Sequence, residues 1–213
     1  MKSQINNLAS QRLVWLDALK GIGILLIMSC HAGLLPRVSI FLTAGYVSIF
    51  FVASGFTYKS KQTFSSEIGK RSKRLLLPYF FYVSLSIILM NAFHIKGDFI
   101  QQVLGMIYSR YSLYFGIKNV GDVSLLTQTC NSPTWFLTAL FTSLMVMYII
   151  KSLKWQWVVI TCLGLSVLTL YLPFLLPWSL DTAFVGALFI YLGKKIRGGN
   201  SGYRMVRLGL VVL

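Results

Sequence analysis

Charge is what this sequence has least of. Only 12% of its 213 residues are Asp, Glu, Lys or Arg, where a soluble domain carries about 25%. Acidic residues are the scarcest, five against twenty Lys and Arg. So little charge excludes an ordinary soluble domain. Cysteine is also sparse. Cys30, Cys130 and Cys162 show no metal-ligand spacing and no even disulfide framework, which excludes a zinc module and a stapled secreted domain. Cys30 and Cys130 both fall toward one predicted face, so a bridge between them stays open, with free thiols the expected state. No internal repeat, low-complexity tract or intervening soluble domain is visible. The first apolar run lacks a small-residue cleavage site, carries a histidine and is soon followed by another run, so it reads as a retained helix rather than a signal peptide.

What the chain does have is apolar length. Hydrophobic residues make up 56% of it and its mean hydropathy is +0.70. Apolar runs recur along the chain at about the twenty-residue length that crosses a bilayer core. They predict spans over 13–33, 38–58, 75–95, 134–150, 155–172 and 179–193, with a further run starting near 205. The expected architecture is an all-α, polytopic transmembrane helix bundle of about six full spans plus the start of a seventh. It forms one membrane domain over residues 1–213. The partner this implies is the lipid bilayer.

Orientation follows from the connections. Placing the N-terminus in the cytoplasm puts fifteen Lys and Arg on the inner side and four on the outer, with Lys20 inside the first span. That asymmetry is the positive-inside pattern. All five tryptophans (Trp15, Trp135, Trp155, Trp157 and Trp178) then fall near span ends, where indoles favour the headgroup layer. The net charge of +15 is confined largely to these short connections, so it argues against nucleic acid as a partner. Residues 96–133 form the one long outer connection. Phe99, Val103, Met106, Ile107 and Tyr111 outline one face of an interfacial helix. The alternative is that Tyr108, Tyr111, Tyr114 and Phe115 offer aromatic faces to a sugar ring.

Two constellations carry chemistry. Asp17, Lys20 and His31 stand in the first apolar span, where ionisable groups are costly and mark function by default. Lys20 and His31 are eleven residues apart, which places them on one helical face about 16 Å apart along the axis. Asp17 lies within about 40° of that face. A neutral imidazole suits proton abstraction near neutral pH. The plainer alternative is an interfacial Asp17–Lys20 pair, with His31 capping the helix. The second constellation is the inner loop Lys70-Arg71-Ser72-Lys73-Arg74. Such loops usually only set orientation. Arg71 and Arg74, three apart before a helix, also suit bidentate grip of a phosphate-bearing ligand, with Lys73 adding attraction. Trp135 and Asn131, near the outer start of the fourth span, are candidates for lining an acceptor site. His94 and Asp181 occupy similar outer positions. Ser54 in FFVASGF lacks the glycine before it that a nucleophile elbow needs, so its small neighbours read as helix-packing residues. No metal site is expected.

The stretches LDALKGIGILLIMSCH, FFVASGF, RSKRLLLPYF, PTWFLTALF and LDTAFVGALFIYLGKKIR together resemble the acyltransferase 3 family of multi-spanning membrane enzymes. Lys20 and His31 match the family's basic residue and histidine separated by ten positions. Arg71 and Arg74 match its Arg-x-x-Arg signature before the third span. The resemblance implies transfer of an acyl group, usually acetyl, from acetyl-CoA to a hydroxyl of an extracytoplasmic saccharide or cell-envelope glycan. It also implies a multi-pass location in the plasma (inner) membrane, donor binding at Arg71, Lys73 and Arg74, and chemistry at His31 with Lys20 and Asp17. The family has about ten spans, so the chain is expected to be the N-terminal part of such a domain. The rival readings are a saccharide transporter or flippase, and an inactive truncated product.

Overall fold

A computed structural model describes residues 14–33, 39–59, 63–93, 98–110, 112–115, 123–126 and 134–198. Among them are seven helices: α1 (Val14–His31), α2 (Ser39–Phe56), α3 (Phe64–Ala92), α4 (Phe99–Tyr108), α5 (Trp135–Ile150), α6 (Trp155–Leu170) and α7 (Leu180–Gly198). Five of them coincide with expected spans to within a few residues. Two regions differ from expectation. An antiparallel ribbon pairs β1 (Leu113–Phe115) with β2 (Val123–Leu126), a short two-stranded addition to the expected helical chain. The inner loop around Arg71 is also helical. Helix α3 begins at Phe64, well before the expected span, and carries Lys70, Arg71, Lys73 and Arg74 within it.

That helix stays continuous by widening. Ser72–Leu76 form a π turn, with the Leu77 N–H bonded back to the Ser72 carbonyl. The cause is two residues further on. Pro78 has no N–H to give the Arg74 carbonyl, and its ring crowds that group. A wider turn accommodates the ring without breaking the helix.

The chain forms two compact units, residues 1–58 with 189–213, and residues 59–188. In the first, Leu16, Ala53 and Phe56 form a buried cluster joined by Trp15, Leu19 and Ile196. The Trp15 and Phe56 rings meet edge to face at 5.3 Å. Helices α2 and α7 touch backbone to backbone there. A Cβ on Gly55 would collide with the Ile190 carbonyl, and one on Gly193 with the Val52 carbonyl. The small residues of FFVASGF therefore serve close packing, as their composition suggested. Arg197 completes the contact by donating to the Phe56 carbonyl at 2.9 Å, satisfying an acceptor at the end of α2.

In the second unit Tyr79, Val83 and Ile87 recur every fourth residue along α3 and are buried against Phe80, Met106 and Leu137. Outside these stripes α3 and α6 expose many apolar side chains. Only 22% of the most apolar window of α3 is buried. Helix α6 buries just Val158 and Cys162 while exposing Trp157, Ile160, Leu163 and Leu168. Water disfavours contiguous surface of this kind and hydrocarbon accepts it. Helix α3 is long and apolar enough to cross a membrane.

Candidate functional site

The three ionisable residues of the first span share one unbroken helix. Asp17, Lys20 and His31 all lie within α1, so the eleven-residue spacing of Lys20 and His31 translates into a common face, about 16 Å apart. Asp17 is exposed and Lys20 half-buried. The His31 side chain lies outside the described residues. Cys30, its neighbour, is a free thiol, as is the buried Cys162. Cys130, His94 and Asn131 also fall outside the described residues, so the candidate acceptor residue Asn131 has no described position.

The basic residues of the second constellation occupy the junction between the first turns of α3 and its π turn. Arg71 is the last residue before that turn, and Lys73 and Arg74 lie on it, exposed. Lys70 is exposed as well. Arg71 is different. Its Nε donates to Oε2 of Glu67 at 2.7 Å, and the two side chains retain only 16% and 2% of their exposure. A buried carboxylate needs a partner, and here it is the cation four residues on. Glu67 was not singled out by sequence reasoning, although a Glu four residues before an Arg is a recognisable helix pair. Phe64, at the start of the same helix, packs on Tyr148 of α5 at 5.3 Å between ring centroids.

A second polar cluster emerges from the long connection. Asp98 caps α4 by accepting from the Ile100 N–H at 3.1 Å, which explains why the helix starts there. A helix is thus present over Phe99–Tyr108, and it packs against α3. Tyr79 donates to the Met106 carbonyl at 2.6 Å, and the Ser84 hydroxyl approaches the Met106 sulfur at 3.4 Å. Tyr79 lies fifteen residues into the 29-residue α3. Helix α4 therefore runs back beside α3 to about its middle, roughly 22 Å from Phe64.

The chain leaving α4 is closely held. Ser109 ends the helix in a left-handed conformation, φ 58°, fully buried. Its hydroxyl meets that of Thr138 at 2.6 Å. Thr138 gives its own proton to the Trp135 carbonyl at 2.8 Å, so Ser109 is the donor of the pair. Arg110 donates from Nε and Nη2 to the Leu176 carbonyl at 3.1 and 3.0 Å and also forms an ion pair with Asp181. Tyr108 donates to the Leu175 carbonyl at 2.8 Å.

Opposite this segment, Trp178 and Ser179 both adopt positive φ, 55° and 54°. Two adjacent non-glycine residues there cost free energy and persist only where surroundings hold them. The hold is visible. The Trp178 indole donates to the Ile107 carbonyl at 2.8 Å, its carbonyl accepts from Thr142 at 3.0 Å, and its ring lies edge-on to Phe80 and Phe141. Trp135, the other candidate acceptor residue, is half-buried at the start of α5 beside Phe136 and joins this cluster through its carbonyl. Sequence reasoning placed Asp181 near a span end but not in an ion pair. Its partner is 71 positions away, and no local pattern announces such a pairing. Among the described residues, no three His, Cys, Asp or Glu side chains gather as a metal site would require.

The model of the acyltransferase 3 family, described as an acyltransferase domain, matches residues 13–213. No curated protein and no solved structure shows a significant match.

Proposed function

The chain belongs to the acyltransferase 3 family of membrane acyltransferases, and on that premise we propose that it moves an acetyl group from cytoplasmic acetyl-CoA to a hydroxyl of an extracytoplasmic saccharide or cell-envelope glycan. The observation that carries this reading is the family match itself, which spans both α1 and the basic turn of α3. In this reading the chain crosses the plasma membrane several times with its N-terminus inside, in keeping with the fifteen-to-four division of basic residues between the two sides.

The division of labour follows from where each substrate resides. Coenzyme A carries phosphate groups and is found inside, where the basic turn bearing Arg71, Lys73 and Arg74 would meet it. The acceptor is outside, toward the end of α1 that carries His31, with Trp135 and Asn131 on the same side. The acceptor oxygen attacks the thioester carbonyl carbon while His31 takes the hydroxyl proton. As the carbon–sulfur bond breaks, coenzyme A leaves as a thiolate and receives that proton, giving the ester and free thiol. If His31 instead takes the acyl group first and passes it on, it is equally indispensable. Lys20 and Asp17 stand on the same face of α1 toward its inner end.

The test is His31→Gln, which keeps much of the size and hydrogen bonding of histidine but does not titrate near neutral pH. Expected is a loss of glycan acylation of at least about 100-fold in cells at matched protein levels, with donor binding retained. Near-normal acylation would make His31 a structural residue and remove the proposed chemistry.

A further inference from the structure

Glu67 is the sole acidic residue between Asp17 and Asp98, and it lies within the most basic segment of the chain. Its carboxylate is almost fully buried and holds Arg71 through Nε. That contact has two consequences. It balances the charge of Arg71 and commits the Nε edge of its guanidinium, one of the two-nitrogen edges by which arginine forks a phosphate. It also ties the first regular turns of α3 to the residue at which the helix widens, because Arg71 immediately precedes Ser72–Leu76. Lys70, Lys73 and Arg74 stand exposed around it, and no further acid occurs in the sequence until Asp98. One carboxylate among four cations leaves a surplus of positive charge, and the surplus lies at Arg74 and the lysines rather than at Arg71.

We infer that the two arginines of the turn have unequal tasks. Arg74, with Lys73, holds the phosphate groups of the acyl-CoA donor, while Glu67 is a positioning residue that acts through Arg71 to fix the turn from which they reach. The inference rests on the reading of this turn as the donor site. It differs from a purely electrostatic account in the sign of one effect. Removing the Glu67 charge makes the site more positive, so simple attraction would tighten binding of an anion. Loss of positioning would weaken it.

The experiment measures binding of coenzyme A to the detergent-purified full chain by calorimetry, with thermal unfolding recorded for each variant. Lysine keeps the charge of arginine but not its planar fork, so Arg74→Lys is expected to weaken binding about tenfold or more and Arg71→Lys by no more than about threefold. Glu67→Gln, which retains an acceptor oxygen for Arg71, should weaken binding despite its added positive charge. Glu67→Gln combined with Arg71→Lys should be no weaker than the poorer single variant, because the two residues act as one unit. Equal losses at Arg71 and Arg74, or tighter binding by Glu67→Gln, would overturn the inference while leaving the donor site in place. Absence of coenzyme A binding in the wild-type chain, or equal affinity in every variant, would overturn the donor reading and this inference with it.

Discussion

Two arginine–carboxylate pairs in the unit formed by residues 59–188 look alike and are built differently. Arg110 meets Asp181 and the Leu176 carbonyl, next to a strained backbone that Trp178 and Thr142 hold in place. Among the described residues one cation there faces one acid, and hydrogen bonds join three separate segments. Arg71 meets Glu67 within a single helix, and its neighbours Lys70, Lys73 and Arg74 are exposed. Among the described residues the first arrangement is balanced in charge. The second is charged in excess and lies beside a widened turn. An ion pair alone therefore does not mark a binding site; under the proposed function the charge left over does.

The largest effect expected from breaking this contrast is at the balanced pair. Asp181→Ala strands a half-buried guanidinium, a change that costs about 3 kcal/mol, and should lower the unfolding temperature of the purified protein accordingly. The double variant Arg110→Ala with Asp181→Ala should lose less than the sum of the two single losses. Arg74→Ala, by contrast, should leave stability within about 0.5 kcal/mol of wild type. A stable Asp181→Ala protein would show that this pair is not a structural clamp.

A yardstick comes from the other compact unit, where α2 and α7 touch. Gly55→Ala or Gly193→Ala places a methyl group against a backbone carbonyl and should destabilise by about 1–3 kcal/mol. The readout is again thermal unfolding. If alanine is tolerated at both positions without loss, the helices have room to separate and the close approach is not required.

The smallest perturbation asks only on which side the basic turn lies. Ser65→Cys and Ser124→Cys, each in a background without the three native cysteines, should leave stability within about 0.5 kcal/mol of wild type. An impermeant thiol reagent should label Ser124→Cys from outside intact cells and Ser65→Cys only after the membrane is opened. Labelling of Ser65→Cys in intact cells would invert the orientation.

Much of the helical framework was legible because its signal is local. The apolar runs at 134–150 and 155–172 became α5 and α6 within two residues at either end. The run ending at 193 was read short, since Lys194, Lys195 and Arg197 look like a stop, yet α7 continues to Gly198 with Arg197 closing α2. The start of α3 was missed for a related reason. Five consecutive polar residues from Lys70 to Arg74 interrupt the apolar pattern without interrupting the backbone, because Glu67 supports the helix there and the π turn absorbs Pro78. The return of α4 beside α3, the ribbon and the Arg110–Asp181 pair depend on partners well separated in sequence, such as Tyr79 with Met106. Periodicity carries no information about them. For the site, the ten-position interval between Lys20 and His31 was readable and lies on one helix. The unequal surroundings of Arg71 and Arg74 needed the structure.

The proposed reaction takes its donor on the face of the basic turn and delivers to the other, and sealed vesicles can separate those faces. Membranes bearing the full chain and its acceptor glycan would be prepared inside-out and right-side-out. Each would be given acetyl-CoA labelled in the acetyl group, with label then counted on the glycan. Transfer is predicted in inside-out vesicles, where added acetyl-CoA meets Lys73 and Arg74, and not in right-side-out vesicles until they are permeabilised. Equal transfer in both orientations without permeabilisation would contradict it.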